Sequence, residues 1–423
     1  MVSALRQPGE ARSLKQIWVA LRKDFLFRNS VYFFTNTVSL SALGFMFWWV
    51  SARLYSAEQV GGAVVMIAIA QLTTTVSNLG LSFGLIRFLP DAQNKPELIN
   101  FALSFVGGMT LILIAGIILP GVVFLDIPTG AILTPASSIV LVFLVVSLAI
   151  YQLSSPIFAA FRAGQLLLGV NLVTAIGRLA FVLLFANYPS AETLFISFGL
   201  PTLIAAVVII WFILPKLVAG YHPRIALGFK RFAYLVRYSL PNYAGNVFHD
   251  APYQLLPQIV AAQVGVASAA YFYIVWNFFN LITTIGGATS LSLFVEGSHN
   301  ARNLPGLARK ALGSTVGITL IVAIAVMFFS RPILLLFGVD YAAEGAILLR
   351  LVSLAAIPAV VVYNKVATLR VAMRLRKIVA AFALIAAISL TLSLTPLGKD
   401  VVAIGFIWLI AQMVTAVYLV VVK

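Results

Sequence analysis

The sequence predicts an all-α, polytopic membrane protein of about twelve transmembrane helices, grouped as two six-helix bundles around a central cavity. Three observations predict it. Hydrophobic residues make up 62% of the 423-residue chain and charged residues 9%, with a mean hydropathy of +1.05. A soluble protein would need roughly a quarter of its residues charged. The apolar material comes in repeated runs near the ~20 residues that cross a hydrocarbon core, and not as the shorter alternating segments of a β-barrel. Lysine and arginine cluster between these runs, mostly on one predicted side.

In chain order the runs are 30–52, 58–86, 99–124, 134–158, 167–188, 194–215, 239–262, 268–294, 311–336, 345–366, 377–396 and 401–422. The loops between them are short. The longest polar stretches are the N-terminal tail and the region from Lys216 to Arg237. No soluble segment is large enough for an enzyme active site, so no enzyme is expected. The formal charge of +16 does not point to nucleic acid, because the basic residues are dispersed between apolar runs instead of gathered on one soluble domain. With no cysteine, disulfides and thiolate metal sites are excluded. His222, His249 and His299 are far apart in sequence, so no metal and no cofactor is expected. Met1 to Ser30 is polar and basic and lacks the apolar core of a cleaved signal peptide.

Orientation follows from the basic residues. With the N terminus cytoplasmic, the inner side holds the tail arginines and lysines, then Arg87, Lys95 and Arg162. It also holds the group from Lys216 to Arg237, then Arg302, Arg309 and Lys310, and finally Lys365 to Lys377 and Lys423. The outer loops keep only Arg53, Arg331 and Lys399. The expectation is a multi-pass protein of the cell (inner) membrane with both termini cytoplasmic.

Two amphipathic segments precede spans 1 and 7. In the tail Leu14, Ile17, Trp18, Leu21 and Phe25 lie opposite Arg12, Lys15, Arg22 and Lys23; Phe229, Phe232, Ala233 and Val236 repeat the pattern. Their placement divides the chain into four parts. These are a tail with an interfacial helix (1–29), an N-terminal six-helix bundle (30–218), a basic cytoplasmic linker (219–237) and a C-terminal six-helix bundle (238–423). Six is even, so the halves would be parallel repeats about an axis normal to the membrane.

Local motifs then become specific. Leu54-Tyr55-Ser56-Ala57-Glu58-Gln59-Val60-Gly61 joins spans 1 and 2, and Leu79-Gly80-Leu81-Ser82-Phe83-Gly84-Leu85-Ile86-Arg87-Phe88 closes span 2. Phe161-Arg162-Ala163-Gly164-Gln165 follows span 4, Tyr238-Ser239-Leu240-Pro241 opens span 7, and Gly265 to Tyr271 turns into span 8. Together these resemble the polysaccharide flippase family of the multidrug, oligosaccharidyl-lipid and polysaccharide exporter superfamily. Many relatives have fourteen spans and this chain twelve, so features of the extra pair are not carried over. The physical content of the motifs is structural: Glu58 suits a helix N-terminus, Gly80 and Gly84 allow close helix approach, and Arg87 snorkels at the cytoplasmic face.

Charges inside a bilayer are expensive and mark candidate sites. Asp250 falls near the middle of span 7, beside His249 and among Pro241, Pro252 and Pro257. It suits a protonation or sodium site coupling transport, or a hydrogen-bonded carboxylate packing spans 7 and 8 against Asn277. Arg178 lies near the centre of span 5. Its guanidinium suits an anionic phosphate in a cavity, or a salt bridge or carbonyl contact within the bundle. Arg350, nearer the outer end of span 10, is a second candidate substrate contact, or snorkels towards Asp340 or Glu344. Asn36, Asn78, Gln152, Asn171, Asn277 and Gln412 either line a hydrated path or join helices.

The sequence has no phosphate-binding loop, so ATP hydrolysis is not expected to drive it. The expected function is a transporter that moves lipid-linked oligosaccharide from the cytoplasmic to the outer leaflet by alternating access. The resemblance implies a polyprenyl diphosphate-linked glycan as cargo, membrane lipids and H+ or Na+ as partners, and a functional link to glycosyltransferases in cell-surface polysaccharide or lipopolysaccharide biosynthesis. The alternatives are a cation-coupled multidrug exporter of the same superfamily and a membrane glycan polymerase or ligase.

Overall fold

The computed structural model describes residues 25–121, 135–226, 228–299 and 304–421, and among them every regular element is helical. In order these are α1 (Phe25–Leu54), α2 (Ala57–Asn78), α3 (Leu81–Phe88), α4 (Lys95–Gly121), α5 (Pro135–Ala160), α6 (Gly164–Leu184) and α7 (Ala191–Leu217). The second half contains α8 (Phe229–Gln263), α9 (Val266–His299), α10 (Leu304–Phe328), α11 (Ser330–Leu335), α12 (Val339–Val371), α13 (Leu375–Ser393) and α14 (Val401–Val421). The expected spans fall on these helices, with spans 2 and 9 each broken once. The interfacial helix expected in the tail lies outside the described residues. The pattern expected before span 7 is the first part of α8.

Ten helices are long and apolar enough to cross a membrane among the described residues. The helix α8 is not one of the ten. It carries Asn246, His249, Asp250, Gln254 and Gln258 along its length, and several of these face a cavity. Span 2 breaks because Leu79 and Gly80 are both left-handed, with φ of 44° and 74°. Glycine reaches that region without steric cost. At the other end of α2, Ser56 and Gln59 form a reciprocal capping box, and Glu58 adds a carboxylate to the first turn.

Helices α1 to α7 pack mainly on one another: α6 lies on α1 and α7, and α5 on α4 and α7. In the second half α12 is central, packed against α9, α10, α11 and α14, while α8 lies on α13. The halves meet chiefly where α2 runs along α8 and α9, and α3 along α8. Glycines make that approach possible. A Cβ on Gly61 would lie 1.8 Å from the Val266 carbonyl oxygen, and one on Gly84 2.8 Å from Leu235. The sequence motifs around spans 2, 7 and 8 therefore meet each other in space, which is the structural reason for their small residues. A cluster of buried side chains including Leu81, Leu85, Phe158, Leu214, Tyr221 and Leu235 closes one end of this contact. The segment between α7 and α8 is tied to α4, with Asn100 Nδ2 donating to the His222 carbonyl at 2.9 Å.

Candidate functional site

Three adjoining cavities cross the molecule from one half to the other. The first, about 250 Å³, lies among α1, α5 and α6 and is lined by Tyr151, Gln152, Asn171, Thr174 and Arg178. The second, about 190 Å³, is a cleft between α1 and α9. The third, about 570 Å³, lies among α8, α9, α12 and α13. Leu40 lines both the first and the second; Asn280 and Thr284 line both the second and the third.

In the first cavity Arg178 is held from three directions. Its Nε donates to the Phe198 carbonyl and its Nη2 to Thr202 Oγ1, both at 3.1 Å. The guanidinium also lies 3.7 Å from the centroid of the Phe198 ring, a cation–π contact. No carboxylate pairs with it among the described residues. A guanidinium has five N–H donors, and these contacts use two, so its fork can still bind an anion with parallel bonds. Beside it the Tyr151 hydroxyl donates to Asn171, whose Nδ2 donates to Asn36 Oδ1 at 2.8 Å. Gln152 Nε2 donates to Thr74 Oγ1 at 3.1 Å. Gln152 and Asn171 thus line the cavity wall, and together with Asn36 they join α1, α2, α5 and α6.

The third cavity has the opposite character. His249 Nδ1 and Asp250 Oδ1 are 2.7 Å apart, and the two side chains are 32% and 41% exposed to it. The imidazole sits edge-on to Phe382 at 4.9 Å and is flanked by the rings of Tyr253 at 5.4 Å and Tyr363 at 6.2 Å. The Tyr253 and Tyr363 hydroxyls lie 3.5 Å apart. Asn246, Asn280, Thr283 and Ser290 add neutral polar groups, and Arg370 adds one cation. Asn277 makes no bond to Asp250; its Nδ2 donates to the Tyr273 carbonyl at 2.7 Å.

Between these cavities α1 and α9 touch at one end. There Trp48 meets Tyr273 with ring centroids 4.8 Å apart and Phe45 meets Phe278 at 5.8 Å. Trp49 Nε1 donates to the Leu336 carbonyl at 2.9 Å, and Arg53 donates to the Leu336 and Leu335 carbonyls at 2.8 and 3.1 Å. These carbonyls end the short helix α11 and have no helical donors left. Further towards the start of α1 and the end of α9, Val38, Ser41, Leu281 and Thr284 are exposed.

Of the three charged candidates, the structure brings Arg178 and Asp250 to cavities. It places Arg350 on an exposed face of α12, with its Nε donating to Ser330 Oγ at 3.0 Å. Sequence reasoning missed Arg370, Tyr253 and Tyr363. Spacing was a usable signal: Tyr363 and Arg370 are seven residues apart on one helix and so share a face. The aromatic run in α9 is mostly core, since Phe272, Trp276 and Phe279 are fully buried.

No protein-family model matches the chain, and no curated protein matches it in sequence. Solved structures do match in fold. The lipid II flippase MurJ, in an inward closed conformation, aligns with a TM-score of 0.67 at 14% identity, covering 93% of this chain and 87% of that one. A multidrug resistance MATE-family transporter of the MOP superfamily, in an inward-facing conformation, gives 0.66 at 14% identity over 90% of this chain and 92% of that one. The fold is that of the MOP-superfamily transporters. A MATE transporter from Vibrio cholerae gives 0.62 at 15% identity, covering 95% and 96% of the two chains.

Proposed function

We propose that this protein is a MOP-type transporter that flips a lipid-linked oligosaccharide, a polyprenyl diphosphate-linked glycan, from the cytoplasmic to the outer leaflet. The observation that carries this is Arg178: an arginine in a membrane-embedded cavity, with no carboxylate partner among the described residues and donors to spare. The physical problem is to carry an anionic, hydrated head group across about 30 Å of hydrocarbon. A guanidinium fork can hold the diphosphate, and the polar third cavity can take the sugars. Rocking of halves 30–218 and 238–423 about the linker 219–237 would give alternating access. In this proposal the protein lies in the cell membrane with both termini cytoplasmic, is not an enzyme, and works downstream of the glycosyltransferases that build its cargo. Asp250 serves ion coupling. Arg350, bonded to Ser330 outside the cavities, is given no contact with the cargo.

The test is leaflet accessibility of the lipid-linked glycan in cells lacking the gene. Retention on the cytoplasmic side, restored by the intact chain and not by Arg178→Ala, is the expected result; normal delivery to the outer leaflet would sink the proposal. A cation-coupled multidrug exporter is the second reading. It is favoured by the Asp250 carboxylate in the third cavity and by the likeness in fold to MATE transporters.

A further inference from the structure

We infer that the third cavity contains a proton site in which the His249 imidazole takes the proton and Asp250 orients it, and that sodium does not compete for it. This site deepens the ion-coupling part of the proposed function, and depends on that reading only for its use in transport.

Adjacent residues on a helix do not normally face each other, yet here both side chains turn into one cavity and bond at 2.7 Å. An ionised carboxylate only accepts, so Nδ1 must be the donor. That fixes the neutral imidazole as the Nδ1–H tautomer and leaves the Nε2 lone pair as its basic site. Nε2 has no protein hydrogen bond among the described residues. His249 lines both the third cavity and a small extension of it, about 10 Å³, bordered by Tyr363, Trp408 and Gln412. The rings of Phe382, Tyr253 and Tyr363 hold the imidazole in place.

The step balances simply. A proton from cavity water forms a bond to Nε2, no bond in the protein breaks, and the pair goes from one negative charge to neutral. An imidazole is the side chain whose ordinary charge change falls between about pH 5 and 8. Sodium is a hard cation that takes oxygen ligands, so it does not bind the nitrogen lone pair at Nε2. With Asp250 Oδ1 engaged by the ring N–H, only Oδ2 is left for it, beside a full positive charge once the ring is protonated.

The titratable and charged groups around the pair are few. On α8 they are Tyr243 and Tyr253, and on α12 Tyr363 and Arg370. The helices α9, α13 and α14 present neutral residues there: Asn280, Thr283 and Thr284, Phe382, and Trp408 with Gln412.

The chain has only three histidines, so nitrogen-15 NMR of histidine-labelled full-length protein in nanodiscs reads the site directly. The His249 signal is the one lost in His249→Gln; if that variant does not insert, it is the one that remains in the double variant His222→Gln, His299→Gln. The expected result is an Nδ1–H tautomer that becomes protonated at Nε2 on acidification, with the same titration in sodium chloride as in potassium chloride. Asp250→Ala should abolish the tautomer preference. A titration displaced by sodium, protonation at Nδ1, or a tautomer unchanged in Asp250→Ala would each overturn the inference. None of these readings needs a substrate. Failure of glycan flipping with the titration intact would therefore overturn the transport proposal and leave the proton site standing.

Discussion

The first and third cavities are built from opposite materials. In the N-terminal half a fixed cation, Arg178, is held by a carbonyl, a hydroxyl and a ring, and the polar groups around it are tied in a network from Asn36 to Tyr151. In the C-terminal half the charge belongs to a pair, His249 and Asp250, that bond each other in a larger space. An arginine keeps its charge at any physiological pH, whereas an imidazole exchanges it. The difference teaches that one half holds a fixed charge and the other a side-chain pair able to change its charge; under the proposed function these serve as anchor and coupling site.

The largest expected effect breaks the anchor. Arg178→Ala removes charge-assisted bonds worth about 1.5–3 kcal/mol, so binding of a polyprenyl diphosphate, measured by tryptophan quenching, should weaken roughly 10- to 100-fold. Arg178→Lys should recover only part of this, because a lysine lacks the bidentate fork. The histidine titration should be unchanged in both variants, and a linked change would show that the halves do not act separately.

Next comes the interface between the halves, where α2 meets α9. Gly61→Val drives a side chain into the Val266 backbone, and overpacking of this kind costs roughly 1–3 kcal/mol. The thermal unfolding midpoint in detergent should fall. An unchanged midpoint would mean that α2 and α9 separate without penalty.

Asn171→Ala probes the network in the first half alone. It leaves the Tyr151 hydroxyl and Asn36 without their partner, at a cost of about 1–3 kcal/mol for each buried group left unsatisfied and less where cavity water replaces it. Cysteine pairs spanning α1 and α6 should report looser packing there and none between α8 and α13. The smallest effect is expected at Arg350→Ala. An exposed side chain bonded to one hydroxyl should shift stability by about 0.5 kcal/mol or less and leave glycan flipping intact. A transport defect in that variant would return Arg350 to the cargo path.

The helices were legible because hydrocarbon thickness imposes a run length that hydropathy reveals. Asp250 and Arg178 were legible for the converse reason: charge within such a run is costly enough to stand out. Arg370 was not, because it lies near a helix end, where the sequence makes it look like one more cytoplasmic lysine or arginine. The role of Gly61 was hidden as well. Its partner, Val266, is distant in sequence, and only the packing of α2 on α9 brings a backbone carbonyl to its Cα. Arg53, which the sequence shows only as one of three outer-loop cations, caps the end of α11, and no local pattern announces which carbonyls a side chain will find.

Those contacts at the end of α11 bear on how firmly the two halves are held together at that end. Trp49 and Arg53 fasten the first half to the second by three hydrogen bonds, all at the end where α1 and α9 already touch. At about 0.5–1.5 kcal/mol each, even the lower figure favours the fastened form roughly tenfold. Under the proposed function, the clasp would bias the resting population towards the form fastened at that end, by an amount that a bound cargo could offset.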